Sequence, residues 1–347
     1  MKFNKGKRHS ISIVSVLLLL GAILSAMMLT ASAESMPDKL YVGGFAFGVR
    51  FGTDGVLVTG TRAFSSEGKA VDPAGEAGIK AKDVIKKVNG KDVFSAKEIS
   101  EAVNGGDAVV FTVLRDGKTI EISVKPICED HSGVYRLGID LKDSMAGIGT
   151  VTYVCPETLE FGALGHGICD GATGVIMPIR KGSAMDVGIG GVVKGKSGKP
   201  GEIKGHFLSK RLGSVRNNTE CGVFGVFTCA DTLGEPIPIG HKNEVKEGKA
   251  VIRTTLGDDG VKEYEIEISK INRESTDNKS FLINVTDKAL KDRTGGIIQG
   301  MSGSPIIQDG KLVGAVTHVM VNDPTTGYGI FIENMLNAAN MPMQKAA

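Results

Sequence analysis

The sequence predicts a mainly β protein of two domains, a small strand-rich module with two helical stretches followed by a larger all-β barrel domain. Three observations predict it. A chain of 347 residues is long enough for two ordinary domains, each able to bury its own core. Runs rich in Val, Ile and Thr recur about every ten residues and are bounded by turn residues, the spacing of an all-β barrel or sandwich. Glycine is the third: there are 48 Gly but only 11 Pro, about twice the usual glycine share of roughly 7%, with no collagen-like period. That surplus belongs in turns and at close backbone approaches. With 41% hydrophobic and 23% charged residues, the composition excludes a disordered chain, a multispanning membrane protein and a coiled coil.

The first 33 residues have the layout of an export signal. A basic stretch through Arg8 precedes an apolar run over 11–29 and the small residues Ala31-Ser32-Ala33. The apolar run spans about 28 Å as a helix, so it serves equally as a cleaved signal or as an N-terminal membrane anchor. Either way the body is expected on the far side of the membrane. Without this segment the chain holds 37 basic and 39 acidic side chains. Near neutrality, with 5% aromatics and no Trp, it carries neither the charge nor the stacking surface of a nucleic-acid binder. The five cysteines lack CxxC spacing and predict no disulfide framework; they are read as mostly buried small apolar residues.

The module is expected over 36–126, with strands at 41–51, 55–61, 83–88, 108–114 and 119–124 and helices at 74–78 and 95–103. Its clearest stretch runs from Asp72-Pro73-Ala74-Gly75-Glu76-Ala77-Gly78-Ile79 through Asp83-Val84-Ile85 to Val88-Asn89-Gly90-Lys91. That stretch resembles the PDZ signature, which implies a groove where an extended peptide joins a strand edge while a glycine-rich turn offers N–H groups to a carboxylate. Gly43-Gly44-Phe45-Ala46 stands where that peptide-binding loop is expected. The larger domain is expected over 133–347, with short helices at 287–291 and 332–339.

Gly300-Met301-Ser302-Gly303-Ser304-Pro305 is the sharpest motif. Small neighbours let a peptide backbone approach the serine, and the glycines permit a turn that gathers N–H groups at one spot. The motif and the strand, turn and strand that follow it resemble the nucleophile loop of chymotrypsin-like serine proteases. By that analogy the domain is a chymotrypsin-like double β-barrel, and the N–H groups of Gly300 and Ser302 form the oxyanion hole. A nucleophilic serine needs a base, and of the six histidines His166 stands out in Gly165-His166-Gly167. His166 and Cys169 are three apart, but no second motif has metal-ligand spacing, so no metal or other cofactor is expected.

Together the PDZ-like module, Gly-His-Gly and Gly-Met-Ser-Gly-Ser-Pro resemble the SpoIVB peptidases, stage IV sporulation proteins B. Thr317-His318-Val319 and Asn322-Asp323-Pro324-Thr325-Thr326-Gly327 belong to the resemblance too. It implies a triad of His166, Asp287 and Ser302. It further implies secretion into the space between the forespore membranes, self-cleavage, and cleavage of a membrane-bound regulator of an intramembrane protease, so that sigma-K is activated. Asp287 also suits an N-cap before Lys288-Ala289-Leu290, and Asp170 and Asp231 are alternative acids. A general extracytoplasmic quality-control protease and a catalytically silent PDZ scaffold are the competing functions.

Overall fold

Two strands of sixteen residues each, Ala46–Thr61 and Ile139–Val154, pair antiparallel along most of their length. They organise the computed structural model of the chain, which describes residues 36–229 and 233–340. The expected export segment and Asp231 lie outside the described residues. Each long strand serves two cores. Phe47, Val49, Phe51, Val151 and Val154 face one apolar cluster, whereas Val56 and Val58, with Ile139 and Leu141 packed alongside, face another.

The first cluster fills a ring of six strands. From Ile139–Val154 the pairing passes through Glu160–Ala163, Gly222–Phe227, Glu202–Thr219 and Ile179–Val193, and returns to Ala46–Thr61. Phe161 stacks on Phe227 inside it, with ring centroids 4.2 Å apart. A second barrel closes through Gly248–Thr255, Val261–Ser269, Phe281–Val285, Asp323–Phe331, Lys311–Met320 and Pro305–Gln308. Alternation of apolar and polar residues along Val261–Ser269 turns Tyr264, Ile266 and Ile268 inward. The remaining cluster belongs to the module, where Val84–Val88, Val109–Arg115 and Lys118–Val124 form a sheet under two helices. Asp72 caps Pro73–Glu76, and a Ser95/Glu98 capping box starts Ala96–Val103. The buried Asp83 carboxylate meets Arg115 through two bonds of 2.6 and 2.7 Å.

The fold is therefore mainly β, with a PDZ module ahead of a double-barrel domain, as the sequence predicts. Residues 39–53 sit differently from the expectation for 36–126. Lys39–Val42 pairs with the end of Ile139–Val154, and 46–52 pairs with 144–150, so these residues are staves of the first barrel. The break expected at 52–54, between strands at 41–51 and 55–61, is absent because one strand, Ala46–Thr61, runs straight through it. Buried Thr53 donates its hydroxyl to Gly55 O at 2.6 Å, and Gly55 absorbs the irregularity at φ +93°. The cysteines also differ: all five are free, and only Cys221 is buried, while Cys128, Cys169 and Cys229 are exposed.

The two barrels meet where the loop before Pro305–Gln308 lies on Ile139–Val154. Thr150 N–H donates to Ser302 O at 3.0 Å, and the Thr150 and Thr152 hydroxyls donate to Gly300 O and Gly303 O, each at 2.8 Å. Gly303 has no room for a side chain, since a Cβ would stand 2.1 Å from Thr150 O and its φ is +91°. Thr152→Val keeps the shape but leaves the buried Gly303 carbonyl unpaired. It is expected to cost about 1–3 kcal/mol, read as a lower denaturation midpoint; an unchanged midpoint would show that the seam is not held by this bond.

Candidate active site

Ser302 and His166 come from different barrels and line one cavity of about 430 Å³. His166 follows the end of Glu160–Ala163, where Leu164 and Gly165 both adopt left-handed conformations, φ +68° and +67°. Gly165 packs its α-carbon against Thr317 and Ile330 of the second barrel, so the turn that presents the imidazole is fitted to the opposite wall. Ser302 sits on the loop already described, in which Met301, Gly303 and Ser304 N–H groups are spent on Ile298, Val316 and Met301 carbonyls. The N–H groups of Gly300 and Ser302 have no partner among the described residues. These are the two donors that the sequence assigns to an oxyanion.

The imidazole is held by its own chain. His166 Nδ1 lies 2.9 Å from Gly167 O; a carbonyl only accepts, so the proton is on Nδ1 and Nε2 is a bare acceptor. Burial pushes His166 below the ordinary histidine value, against the raising effect of that bond. The Ser302 hydroxyl donates to Thr317 O at 2.9 Å. His318 completes the group, its ring centroid 4.9 Å from that of His166 and its Nδ1 buried without a partner. Burial, then the neighbouring His166 and Lys279, push His318 down to about 4. Sequence reasoning gave no role to Thr317 or His318; the signal was Thr317-His318-Val319, two strand residues placed opposite the nucleophile turn.

Asp287 is not brought to this cavity. Its carboxylate accepts from Leu290 N–H at 2.8 Å and caps Lys288–Thr294, with a longer bond of 3.4 Å from Glu265 N–H. The capping expectation for Asp287 is thus what the structure shows. Asp170 is likewise committed: it takes Lys142 Nζ at 2.9 Å and the Ala172 and Thr173 N–H groups. Burial works to raise its carboxyl, but the bonds from Lys142 and Thr173 outweigh this and hold it at about 2. The group that orients His166 is the Gly167 carbonyl.

Gly43-Gly44-Phe45-Ala46 is not a peptide loop either, because its polar backbone is already used. Gly43 and Gly44 N–H donate to Thr152 O and Val151 O, and Phe45 O accepts from Val151 N–H. A groove of about 530 Å³ lies instead between Ala96–Val103 and the start of Ile139–Val154, lined by Ile99, Val103, Leu137, Gly138, Ile139 and Leu141 among others. Ile139 and Leu141 are paired on one side to Thr61 and Val58, and the N–H groups of Leu137 and Gly138 have no partner among the described residues. The sequence signal was Leu137-Gly138-Ile139, an apolar-Gly-apolar run beyond the expected boundary at 126.

Two outcomes test this geometry. If Asp287 is a cap, Asp287→Ala should cost about 0.5–2 kcal/mol, while Asp287→Asn should keep stability and hold peptidase activity within about tenfold. A triad carboxylate changed to Asn loses about 10⁴ in kcat, so a loss of that size would return Asp287 to the triad. His318 is depressed in the fold, so it contributes stability above the unfolded value of 6.5 that is lost as pH falls through about 4. Denaturation midpoints should therefore fall between about pH 6.5 and 4, and His318→Phe should flatten that decline.

The chain matches two families: the PDZ domain at residues 55–125 and the SpoIVB peptidase S55 family at residues 133–336. Curated relatives include the serine protease Do-like HtrB of Bacillus subtilis, 44% identical over 64 residues, which are 17% of this chain and 14% of that protein. Another is a probable periplasmic serine endoprotease, DegP-like, of Chlamydia pneumoniae, 36% identical over 93 residues, 25% of this chain and 19% of that protein. Both matches span less than a fifth of the relative's length. Among solved structures, the active form of the Rv3671c protease from M. tuberculosis is 13% identical at TM-score 0.34, covering 57% of this chain and 76% of that one. The HtrA-type protease AlgW with tripeptide is 12% identical at TM-score 0.32, covering 55% and 54%. The peptidase match takes in both His166 and Ser302 and more than half of the sequence, and on that footing the chain belongs to the SpoIVB peptidase S55 family.

Proposed function

We propose that Ser302 and His166 are the catalytic pair of an exported endopeptidase that shortens its own N-terminal region and cleaves a membrane-bound regulator of an intramembrane protease during sporulation, leading to sigma-K activation. The observation that carries the catalytic part is the shared cavity, with a histidine whose free nitrogen is Nε2 and two uncommitted N–H groups beside the serine. Family membership supports the sporulation role. The layout of the first 33 residues supports export across the cytoplasmic membrane, and the family resemblance alone points to the space between the forespore membranes as the destination.

In this scheme Ser302 leaves the Thr317 carbonyl and gives its proton to His166 Nε2 as it attacks the scissile carbonyl. Apo active sites commonly tighten such bonds only when substrate is bound. The Gly300 and Ser302 N–H groups receive the oxyanion, and protonated His166 returns its proton to the leaving amine. The Gly167 carbonyl holds the ring through both transfers. The groove beside Ala96–Val103 receives an extended segment of the enzyme or of its substrate on the free edge of Ile139 and Leu141.

Full-length wild type, Ser302→Ala, His166→Ala and Asp287→Ala forms should be incubated separately and their N-terminal shortening followed by mass spectrometry. The serine and histidine variants are expected to lose shortening by on the order of 10⁶-fold in rate, which in practice is complete loss. Equal shortening of all four forms would remove the peptidase pair. Degradation of unrelated unfolded proteins by wild type would favour quality control over the sporulation role.

A further inference from the structure

The cleft around Ser302 and His166 is one-sided in composition. Leu164, Ile297 and Ile298 are buried at its inner end, Ile148 and Val319 are half-buried, and Val321 is 49% exposed at its mouth. Branched aliphatic side chains thus continue from interior to rim. Among the described residues no Asp, Glu, Lys or Arg lines it, although these make up 23% of the chain. The titratable groups that do line it are the two imidazoles and the Cys169 thiol. Burial disfavours the charged form of both imidazoles. A charged side chain entering this space loses hydration and meets no counter-ion among the lining residues, whereas an apolar one is favoured by the area it removes from water. The volume, about 430 Å³, falls within the range of roughly 300–1,000 Å³ usual for ligand pockets.

We propose that this cleft selects peptide segments whose side chains next to the scissile bond are uncharged and apolar, so that the enzyme cuts within aliphatic or aromatic stretches and rejects acidic and basic ones. The inference rests on the peptidase reading of Ser302 and His166 and adds the substrate class. Gly147 supplies a handle on it. This glycine lines the same cavity, and a Cβ built on it meets no atom within 4 Å. By contrast, a Cβ on neighbouring Gly149 would stand 1.9 Å from Leu164 Cδ2. A side chain added at 147 therefore starts from open space at the wall of the cleft.

The test is a mixture of synthetic peptides with every residue type represented on both sides of each bond, digested by the full-length protein and by its Ser302→Ala form, with cut sites read by mass spectrometry. Ser302-dependent cuts flanked by Leu, Ile, Val, Met or Phe, at least about 100-fold faster than cuts flanked by Asp, Glu, Lys or Arg, are the expected result. One methylene in an apolar pocket is already worth about 10–200-fold. Gly147→Val should move the preference toward smaller apolar residues, lowering the Phe to Ala rate ratio by at least about tenfold. Ser302-dependent cuts beside charged residues, or a preference unmoved by Gly147→Val, would overturn the substrate class and leave the peptidase standing. A digest that Ser302→Ala leaves unchanged would overturn the peptidase reading itself.

Discussion

Everything at the active site depends on one seam of buried hydrogen bonds. Ser302 is carried by the second barrel and His166 by the first, so neither barrel alone contains the chemistry. What sets them against each other is the row of donors on Ile139–Val154: Thr150 through its backbone and hydroxyl, Thr152 through its hydroxyl, all given to carbonyls of the serine loop. Each bond pairs a loop carbonyl, and the fully buried one, from Thr152 to Gly303 O, satisfies a group that would otherwise be buried unpaired. The same bonds turn the loop's carbonyls toward the first barrel, and the glycines let it pass within contact distance. Glycine in Gly-Met-Ser-Gly-Ser-Pro is thus a requirement of packing between barrels as well as of the turn.

The electrostatics of the cleft follow from the same closeness. Two imidazoles 4.9 Å apart and tilted by 35° in a largely apolar space disfavour each other's charge, and one of them keeps a buried nitrogen without a partner. An imidazole whose charged form is disfavoured retains its lone pair over a wider span of pH, at the expense of basicity. The carbonyl of Gly167 then supplies orientation without a formal charge, which a carboxylate in so dry a place could do only by bearing a desolvation penalty.

Local chemistry made much of this legible in the sequence. Ser95 and Glu98 announce a capping box, Asp72-Pro73 announces a helix start, and Gly300 to Pro305 announces a tight, accessible turn; in each the residues involved are neighbours in the chain. Long-range assignments were less legible. Asp287 entered the triad through resemblance, while its position one residue before a helix already stated the competing physical role, and the structure keeps the cap. Gly43-Gly44 looked like a carboxylate loop because glycine pairs with free N–H groups in sequence logic, yet here those groups belong to a sheet whose other strand lies more than a hundred residues away. Thr317 and His318 lay inside a distinctive stretch, but nothing local says that a strand residue will face a histidine from the other barrel.

The two sixteen-residue strands have a consequence for how this chain can be divided. Gly52 and Ser144 face each other across the sheet, so the PDZ module hangs from the tip of a β-hairpin whose stem is barrel wall. Modular exchange therefore has only one pair of natural joints, both on that stem. A cut at a single point after the module, as for beads on a string, takes Ala46–Thr61 out of the ring of six strands and leaves its edges open. Replacing everything beyond the stem by a short turn keeps the barrel closed. The module is an insertion in the hairpin, so exchanging it while keeping the barrel closed requires joints on both strands of the stem.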